Sequence, residues 1–281
     1  MAAAMTPAPR DLHARLTFLG EVAGTPTNYF EVEPPPGVPA RYPRIRCDVI
    51  IHDARAAGEL STEREGVVIA EHRDGVLDDF HDERALRTTY YPAVERLVCA
   101  VTGAARAVVF DHTHRSSGVA RRAADGTDVA VDEAHNDYTE RSGPRRVREL
   151  LATVLPDEDP DRLMRGRYAI FNVWRPINGP VEQWPLAVCD MQSLKPDDFV
   201  DAVLHWPHRT GHVSAIRHDP AQRWLYFPAM DVDEALVFAC YDSAPHGSVR
   251  FAAHTAFVDP TSRDGARVRE SIEVRTIALF D

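Results

Sequence analysis

The chain has 281 residues, a net charge of −11 and 44% hydrophobic residues, which predicts a soluble globular protein of one large or two small domains. The acidic balance and the lack of a Lys/Arg-dense stripe argue against nucleic-acid binding. No window approaches the roughly 20 apolar residues of a membrane helix, and Met1 to Arg15 lack the apolar stretch of a signal peptide. We therefore predict a cytoplasmic protein that binds neither nucleic acid nor a membrane.

The first half of the chain is predicted to contain short strands and one long helix. Residues 1–12 are small, Pro-rich and without periodicity, so we predict a disordered tail followed by a single domain over 13–281. Apolar residues recur every three or four positions from Asp82 to Val101, which predicts a helix that ends at Gly103. Short apolar runs predict strands at 16–19, 28–32, 47–52, 67–70 and 107–111.

The second half is predicted to be mostly β-structure. The polar segment 115–126 is predicted to be a mobile loop, and helices are predicted at 144–155 and 197–204. The remaining apolar runs predict strands at 168–174, 186–189, 213–216, 224–227, 235–240, 249–253 and 271–279. Many short strands separated by Gly, Pro and Asp favour a mainly β fold with flanking helices, built on a cupin-like double-stranded β-helix, or jelly roll.

None of the cysteines is spaced as a metal or redox motif. No pair forms C-x-x-C, and each lies in or beside an apolar segment: Cys47, Cys99, Cys189 and Cys240. We therefore predict buried, reduced thiols without a zinc-binding or catalytic role.

The segment Glu133–Thr139 contains the most informative motif of the chain. His135 and Asp137 are two residues apart, so their side chains point the same way on an extended strand. His254 follows a predicted strand near the C-terminus. Two imidazoles and one carboxylate form the facial triad that binds ferrous iron and leaves positions open for oxygen chemistry. We therefore predict that His135, Asp137 and His254 are the metal ligands and the catalytic centre.

Other histidines compete with this interpretation, because the chain has 13 of them. His112 and His114 have the same spacing but no accompanying carboxylate, so we interpret them as pocket-lining or exposed residues. A second group lies in a predicted loop rich in Trp, Pro and Gly, without a supporting cysteine or helix, which makes a zinc site there the weaker hypothesis: His205, His208 and His212.

Polar residues alternate along the last predicted strand, at Arg269, Ser271, Glu273 and Arg275. An amphipathic strand with its polar face in water would have the same pattern. If this face instead lines the barrel, Arg269 and Ser271 can bind the far carboxylate of an organic acid cosubstrate. Arg275 is the second candidate for this anchor.

The segment Phe171–Pro176 contains candidate substrate-binding residues. Asn172 and Trp174 share one strand face, and Arg175 lies on the other. A buried arginine needs an anionic partner, which for Arg175 is either a substrate or cosubstrate carboxylate or a structural Asp or Glu. We predict that Asn172, Arg175 and Tyr138 bind substrate, although Tyr138 would equally suit the core.

These motifs together resemble a known family. From about residue 15 to 281 the chain resembles the CmcJ/AsaB-like hydroxylase/desaturase family, a branch of the iron(II)- and 2-oxoglutarate-dependent oxygenases. The resemblance is carried by six segments: Thr88–Pro92, His135–Thr139, Phe171–Pro176, Trp224–Pro228, His254–Phe257 and Arg269–Arg275.

The resemblance implies a dioxygenase with a jelly-roll core. It implies that His135, Asp137 and His254 bind Fe(II), that Arg269 and Ser271 hold 2-oxoglutarate, and that O2 is used to hydroxylate, desaturate or cyclise a small molecule in secondary metabolism. Two other functions stay open: a metal-dependent hydrolase or isomerase on a cupin-like barrel, and a non-catalytic barrel that binds small molecules. The identity of the substrate and the formation of a homodimer also stay open.

Overall fold

A computed structural model describes residues 11–118, 128–244 and 250–281 of the chain. Within these ranges the strands are β1 (Leu12–Leu19), β2 (Thr27–Tyr29), β3 (Arg44–Asp53), β4 (Val67–Glu71), β5 (Arg106–Ser116), β6 (Asp128–Val129), β7 (His135–Asn136), β8 (Tyr168–Pro176), β9 (Leu186–Cys189), β10 (Phe199–Trp206), β11 (Arg209–Ile216), β12 (Trp224–Tyr226), β13 (Glu234–Asp242), β14 (His254–Ala256) and β15 (Glu270–Leu279). The helices are α1 (Glu83–Ala85), α2 (Tyr91–Thr102), α3 (Ser142–Val154) and α4 (Pro160–Leu163).

The strands form two sheets that enclose a common core. The larger sheet has the order β1-β3-β12-β9-β14-β7-β11-β10-β2, and the smaller has the order β4-β13-β8-β15-β5-β6. Trp174 and Phe238 of the smaller sheet share this core with Val188 and Leu225 of the larger one. Burying one face of each sheet against the other is the packing expected of a jelly roll, so the predicted fold class is confirmed.

The larger sheet curls back on itself. The backbone N–H of Ala134 donates a hydrogen bond of 2.8 Å to the carbonyl of Thr17, which joins β1 to the segment that leads into β7. Leu16 and Phe18 of β1 therefore pack in a second core with Trp224 of β12. The contact therefore joins β1 to the segment just before β7, the strand that pairs with β14.

The predicted helix at Asp82–Val101 covers the outer face of the smaller sheet. It consists of α1, a π-helical segment at Leu86–Tyr90, and α2. Its apolar residues pack with those on the outer face of β8, β13 and β15, including Val94, Val98, Phe171, Val237 and Val274. The helix ends at Gly103, whose φ of 73° is the left-handed conformation that glycine adopts without strain.

Two predicted elements are wrong. Residues 197–204 do not form a helix, because β10 pairs with β11 along its whole length after a short 3-10 turn at Pro196–Asp198. Hydrogen bonding to a neighbouring strand overrides the local helical pattern here. No strand forms over 250–253, where the chain reaches β14 only at His254, and Val249 lies outside the described residues.

The boundaries of two further predictions shift. β1 begins at Leu12, and Asp11 accepts a hydrogen bond of 2.9 Å from the backbone of Asp53, so these residues belong to the sheet. Residues 1–10 lie outside the description. β5 continues to Ser116, and most of the predicted loop at 115–126 lies outside the described residues.

The single domain stays a prediction. In the part of the chain that is described, no helix is long and apolar enough to cross a membrane.

The four cysteines are free. Cys189 and Cys240 are buried, whereas Cys47 and Cys99 are partly exposed. Burial raises the pKa of the Cys189 and Cys240 thiols, which keeps them protonated and unreactive. The prediction of reduced thiols is confirmed, although only two of them are fully buried.

Candidate metal centre

The three predicted metal ligands lie together inside the barrel. β7 and β14 are antiparallel neighbours, and their register places His135 directly opposite His254, with ring centroids 4.4 Å apart. Asp137 follows β7, and its Oδ1 lies 3.5 Å from Nε2 of His135. One ligand atom from each residue lies within 4.8 Å of the other two. Metal–ligand bonds of about 2 Å can therefore reach a single ion from all three side chains.

A backbone carbonyl orients the imidazole of His135. Nδ1 lies 2.8 Å from the carbonyl oxygen of Glu133, and because a carbonyl only accepts, Nδ1 carries the proton. In the neutral ring Nε2 is then free to bind a metal. Burial lowers the pKa of His135, but the hydrogen bond and charge of Asp137 outweigh it, so the pKa is raised. A metal ion at this position would replace the proton on Nε2.

The two oxygens of Asp137 have different partners. Oδ2 accepts hydrogen bonds from Nδ2 of Asn172 at 2.8 Å and from Nε of Arg275 at 3.2 Å, while Oδ1 faces His135. Burial raises the pKa of Asp137, but Arg275 and the neighbouring histidines outweigh this effect and hold the pKa well below its ordinary value. The carboxylate is therefore ionised and oriented for a metal ion before one binds.

His254 is buried beside the aromatic ring of Phe238, whose centroid is 4.8 Å from that of the imidazole. Burial, with a smaller contribution from His135, lowers the pKa of His254 to about 3. The ring is therefore neutral, which is the form that binds metals. Its Nδ1 is buried and has no hydrogen-bond partner among the described residues.

A buried arginine and a buried serine lie on the same side of the smaller sheet as Arg275, which binds Asp137. Arg269 lies just before the strand and donates from Nη1 to the carbonyl of Trp184. Burial, together with the charge of Arg115, lowers the pKa of Arg269 to about 9. Nε of Arg269 and Oγ of Ser271 are both buried without a hydrogen-bond partner in the described part of the chain. Unpaired donors of this kind are expected to receive an anion.

Arg275, the second candidate for this anchor, is already bound within the protein. Its guanidinium donates to Asp137, to Oε1 of Glu273 at 2.7 Å, to Oδ1 of Asp111 at 3.1 Å and to Thr113. Burial lowers the pKa of Arg275, but Glu273, Asp137 and Asp111 raise it well above its ordinary value. Arg275 therefore supports a metal ligand, whereas Arg269 has an unpaired donor.

The structure brings two of the three predicted substrate-binding residues to the cluster. Asn172 binds Asp137, and Tyr138 follows Asp137 in the chain with its ring in the common core. Arg175 lies instead on the outer face of β8, where it donates to the carbonyl of Gly75 at 2.8 Å and contacts His72. The structure therefore does not place Arg175 near the metal centre, because strand alternation directs it away from Asn172.

The competing histidines do not form a comparable cluster. His112 and His114 lie on β5, opposite residues of β15 whose side chains face outward. His112 binds the hydroxyl of Tyr91, and His114 binds the carbonyl of Phe80. The histidines of the second group lie on the β10–β11 hairpin rather than in a long loop: His205, His208 and His212. Across the described ranges, the triad is the only group of three that could hold a metal ion.

Known proteins similar to this chain include iron(II)- and 2-oxoglutarate-dependent dioxygenases. The profile of the family described as "Oxidoreductase/YMDC permease-like domain" matches residues 16–279. A relative of nearly full length is the Fe(II)/2-oxoglutarate-dependent dioxygenase nvfI of Aspergillus novofumigatus, which is 30% identical over 279 residues, or 95% of this chain and 96% of the relative. A solved structure of the iron and alpha-ketoglutarate-dependent endoperoxidase NvfI superposes with a TM-score of 0.81 at 25% identity, covering 96% of this chain and 98% of that one.

Two other fungal relatives align over about half of the chain. Aspirochlorine biosynthesis protein N of Aspergillus oryzae is 37% identical over 140 residues, and hydroxylase/desaturase asaB of Aspergillus flavus is 36% identical over 148 residues. These alignments cover 49% and 46% of this chain, and 58% and 65% of the relatives. The chain belongs to the AsaB-like hydroxylase/desaturase family of iron(II)- and 2-oxoglutarate-dependent dioxygenases. The predicted family and cofactors are thereby confirmed.

The residues of this dioxygenase fit its cofactors. Neutral imidazoles and an ionised carboxylate suit ferrous iron, and the unpaired Nε of Arg269 beside the unpaired Oγ of Ser271 suits a carboxylate.

The sequence did not reveal two supporting contacts of this site. Trp184 accepts from Arg269 through its backbone, and Asp111 neutralises Arg275 across the β5–β15 register. A backbone contact leaves no signal in residue type, and strand alternation alone does not say which strands pair.

Proposed function

We propose that this chain uses Fe(II), 2-oxoglutarate and O2 to hydroxylate, desaturate or cyclise a small molecule. The observation that carries the proposal is the buried pair of Arg269 and Ser271, with unpaired Nε and Oγ on the same side of the last strand as Arg275, which binds the metal ligand Asp137. A metal-dependent hydrolase or isomerase would need the metal ligands but not a buried cation of this kind. A non-catalytic barrel would need neither.

In this proposal the buried polar residues of the site divide into metal ligands, cosubstrate ligands and residues that position them. His135, Asp137 and His254 would hold the iron, and Arg269 with Ser271 would hold the far carboxylate of 2-oxoglutarate. Together iron, 2-oxoglutarate and O2 supply the oxidation of a C–H bond, with release of succinate and CO2. Asn172 and Arg275 keep Asp137 ionised and oriented, and the core around Tyr138 excludes water.

The substrate is proposed to be a secondary metabolite, because the relatives include an aspirochlorine biosynthesis protein. Whether the outcome is hydroxylation, desaturation or cyclisation depends on how the substrate is positioned. The cytoplasmic location, the homodimer, and the lack of nucleic-acid and membrane partners stay predictions.

The test is an anaerobic titration of metal-free protein with ferrous iron and then 2-oxoglutarate, followed by visible absorption. We expect a weak charge-transfer band that is absent from Asp137→Ala and retained in Asp48→Ala, whose carboxylate is exposed on β3. Bound metal without a band in the wild-type protein would contradict the proposal and favour the hydrolase or isomerase.

A further inference from the structure

Trp184 has an unusual backbone conformation. Its φ of 52° lies in the left-handed region, which bulky residues rarely adopt. It also precedes Pro185, and a following proline favours extended backbone at that position. Glycine would adopt this φ without strain, so the surrounding structure must impose it on Trp184.

Contacts on both sides hold this segment in place. The side chain of Gln183 donates to the carbonyl of Ala266 at 3.0 Å, and the carbonyl of Pro185 accepts from the backbone of Phe257 at 3.2 Å. Glu182 accepts a hydrogen bond of 3.0 Å from the backbone of Arg267. The segment around Trp184 is therefore attached to the segment that leads into Arg269.

Trp184 contacts Arg269 through its backbone rather than through its side chain. The carbonyl accepts from Nη1 of Arg269. Trp184 also lines a cleft of about 510 Å³ together with Phe257, Val258 and Pro260. The contact to the arginine therefore depends on the backbone conformation and not on the indole.

We propose that Trp184 is a positioning residue for the cosubstrate anchor. Its left-handed backbone directs the carbonyl to Nη1 of Arg269, which fixes the guanidinium so that Nε is left for the carboxylate of 2-oxoglutarate. A residue that moves this carbonyl away would release the guanidinium and weaken 2-oxoglutarate binding. The inference rests on the proposed function, because it assigns the anion that Arg269 binds.

Two substitutions separate the backbone from the side chain. Trp184→Gly and Trp184→Val both remove the indole, but only valine resists the left-handed conformation. The dissociation constant of 2-oxoglutarate is measured from the visible band of the anaerobic ferrous protein. We expect Trp184→Gly to stay within about threefold of wild type and Trp184→Val to bind about tenfold more weakly or worse, since a hydrogen bond to a charged group is lost. Ferrous iron stoichiometry should be unchanged in both.

Further variants keep the test decisive if Trp184→Val fails to fold. Trp184→Asn, which tolerates the left-handed region, should then bind 2-oxoglutarate more tightly than Trp184→Ala. Wild-type affinity in Trp184→Val, or equal weakening in Trp184→Gly and Trp184→Val, would overturn the positioning role alone. A wild-type protein that binds iron but no 2-oxoglutarate would overturn the proposed function, and this inference with it.

Discussion

The two oxygens of Asp137 show how single residues prepare this site. Oδ2 is bound to Asn172 and Arg275, so the carboxylate cannot rotate freely and Oδ1 stays directed at the histidines. Partners of this kind behind a metal ligand fix its orientation and raise metal affinity. Asn172 therefore acts through Asp137 in this structure.

Replacing Asn172 tests this support. We expect Asn172→Ala to weaken ferrous iron binding about 10- to 100-fold, because Asp137 loses its shortest hydrogen bond. The measurement is anaerobic competition with a coloured chelator, with thermal unfolding as the check on folding. Wild-type iron affinity in a folded variant would show that Arg275 alone orients the carboxylate.

Arg269 differs from Arg275 in what remains for a ligand. We expect Arg269→Ala to weaken 2-oxoglutarate binding by about 2 kcal/mol or more, because a buried charged contact is lost. Ser271→Ala should cost about 1 kcal/mol, the contribution of one hydrogen bond. Dissociation constants under anaerobic conditions measure both effects, and Arg46→Ala on the exposed side of β3 is the control. An unchanged affinity in Arg269→Ala would move the anchor to another cation.

Successive side chains of β8 point to opposite faces of the smaller sheet, one towards the metal centre and the other towards the covering helix. Asn172 points to the metal centre, whereas Arg175 points to the helix-covered face and lies over the rings of Phe80 and Tyr90. Both residues are buried. Burial alone therefore does not distinguish a site residue from a structural one on this strand.

We therefore expect a variant at Arg175 to lower stability without weakening the binding of iron or 2-oxoglutarate. Arg175→Ala should lower the free energy of unfolding by about 2–4 kcal/mol, since it leaves a cavity and removes the partner of the Gly75 carbonyl. Urea denaturation measures this change. Dissociation constants for iron and 2-oxoglutarate should match wild type, and a selective loss of 2-oxoglutarate binding would restore Arg175 as a site residue.

The stability of the whole molecule should depend on pH through His72. Burial, with the charge of Arg175, lowers the pKa of His72 to about 4 from 6.5. At pH values between about 4 and 6.5, His72 is therefore protonated in the unfolded chain but neutral in the folded protein. The contribution of His72 to the free energy of unfolding is complete above pH 6.5. It decreases by about 3 kcal/mol as the pH falls to about 4.

Urea denaturation at pH 7 and pH 5 tests this dependence. We expect the difference between the two pH values to be smaller in His72→Gln than in wild type, by about 2 kcal/mol. His208→Gln, which changes an exposed histidine in the turn after β10, is the control. An identical pH dependence in His72→Gln and wild type would show that another group titrates.

Local patterns in the sequence determined the chemistry of the site. The i+2 spacing of His135 and Asp137 and the alternation along β15 are patterns of residues that are close in sequence, so they were visible without a structure. The helical repeat and its end at Gly103 depend on neighbouring residues in the same way. The segments that resemble the family also lie within short stretches of the chain.

Only the tertiary structure decided which charged groups are satisfied and which are left for ligands. Arg175, Arg269 and Arg275 are all plausible anchors by residue type. Arg275 is bound to carboxylates, and the unpaired Nε of Arg175 lies on the helix-covered face of β8, whereas the unpaired Nε of Arg269 belongs to the inner side of the smaller sheet. The pairing of β7 with β14 likewise joins His135 to a residue far along the chain. Neutralisation of a charge and pairing of a strand both depend on groups distant in sequence, which local spacing does not specify.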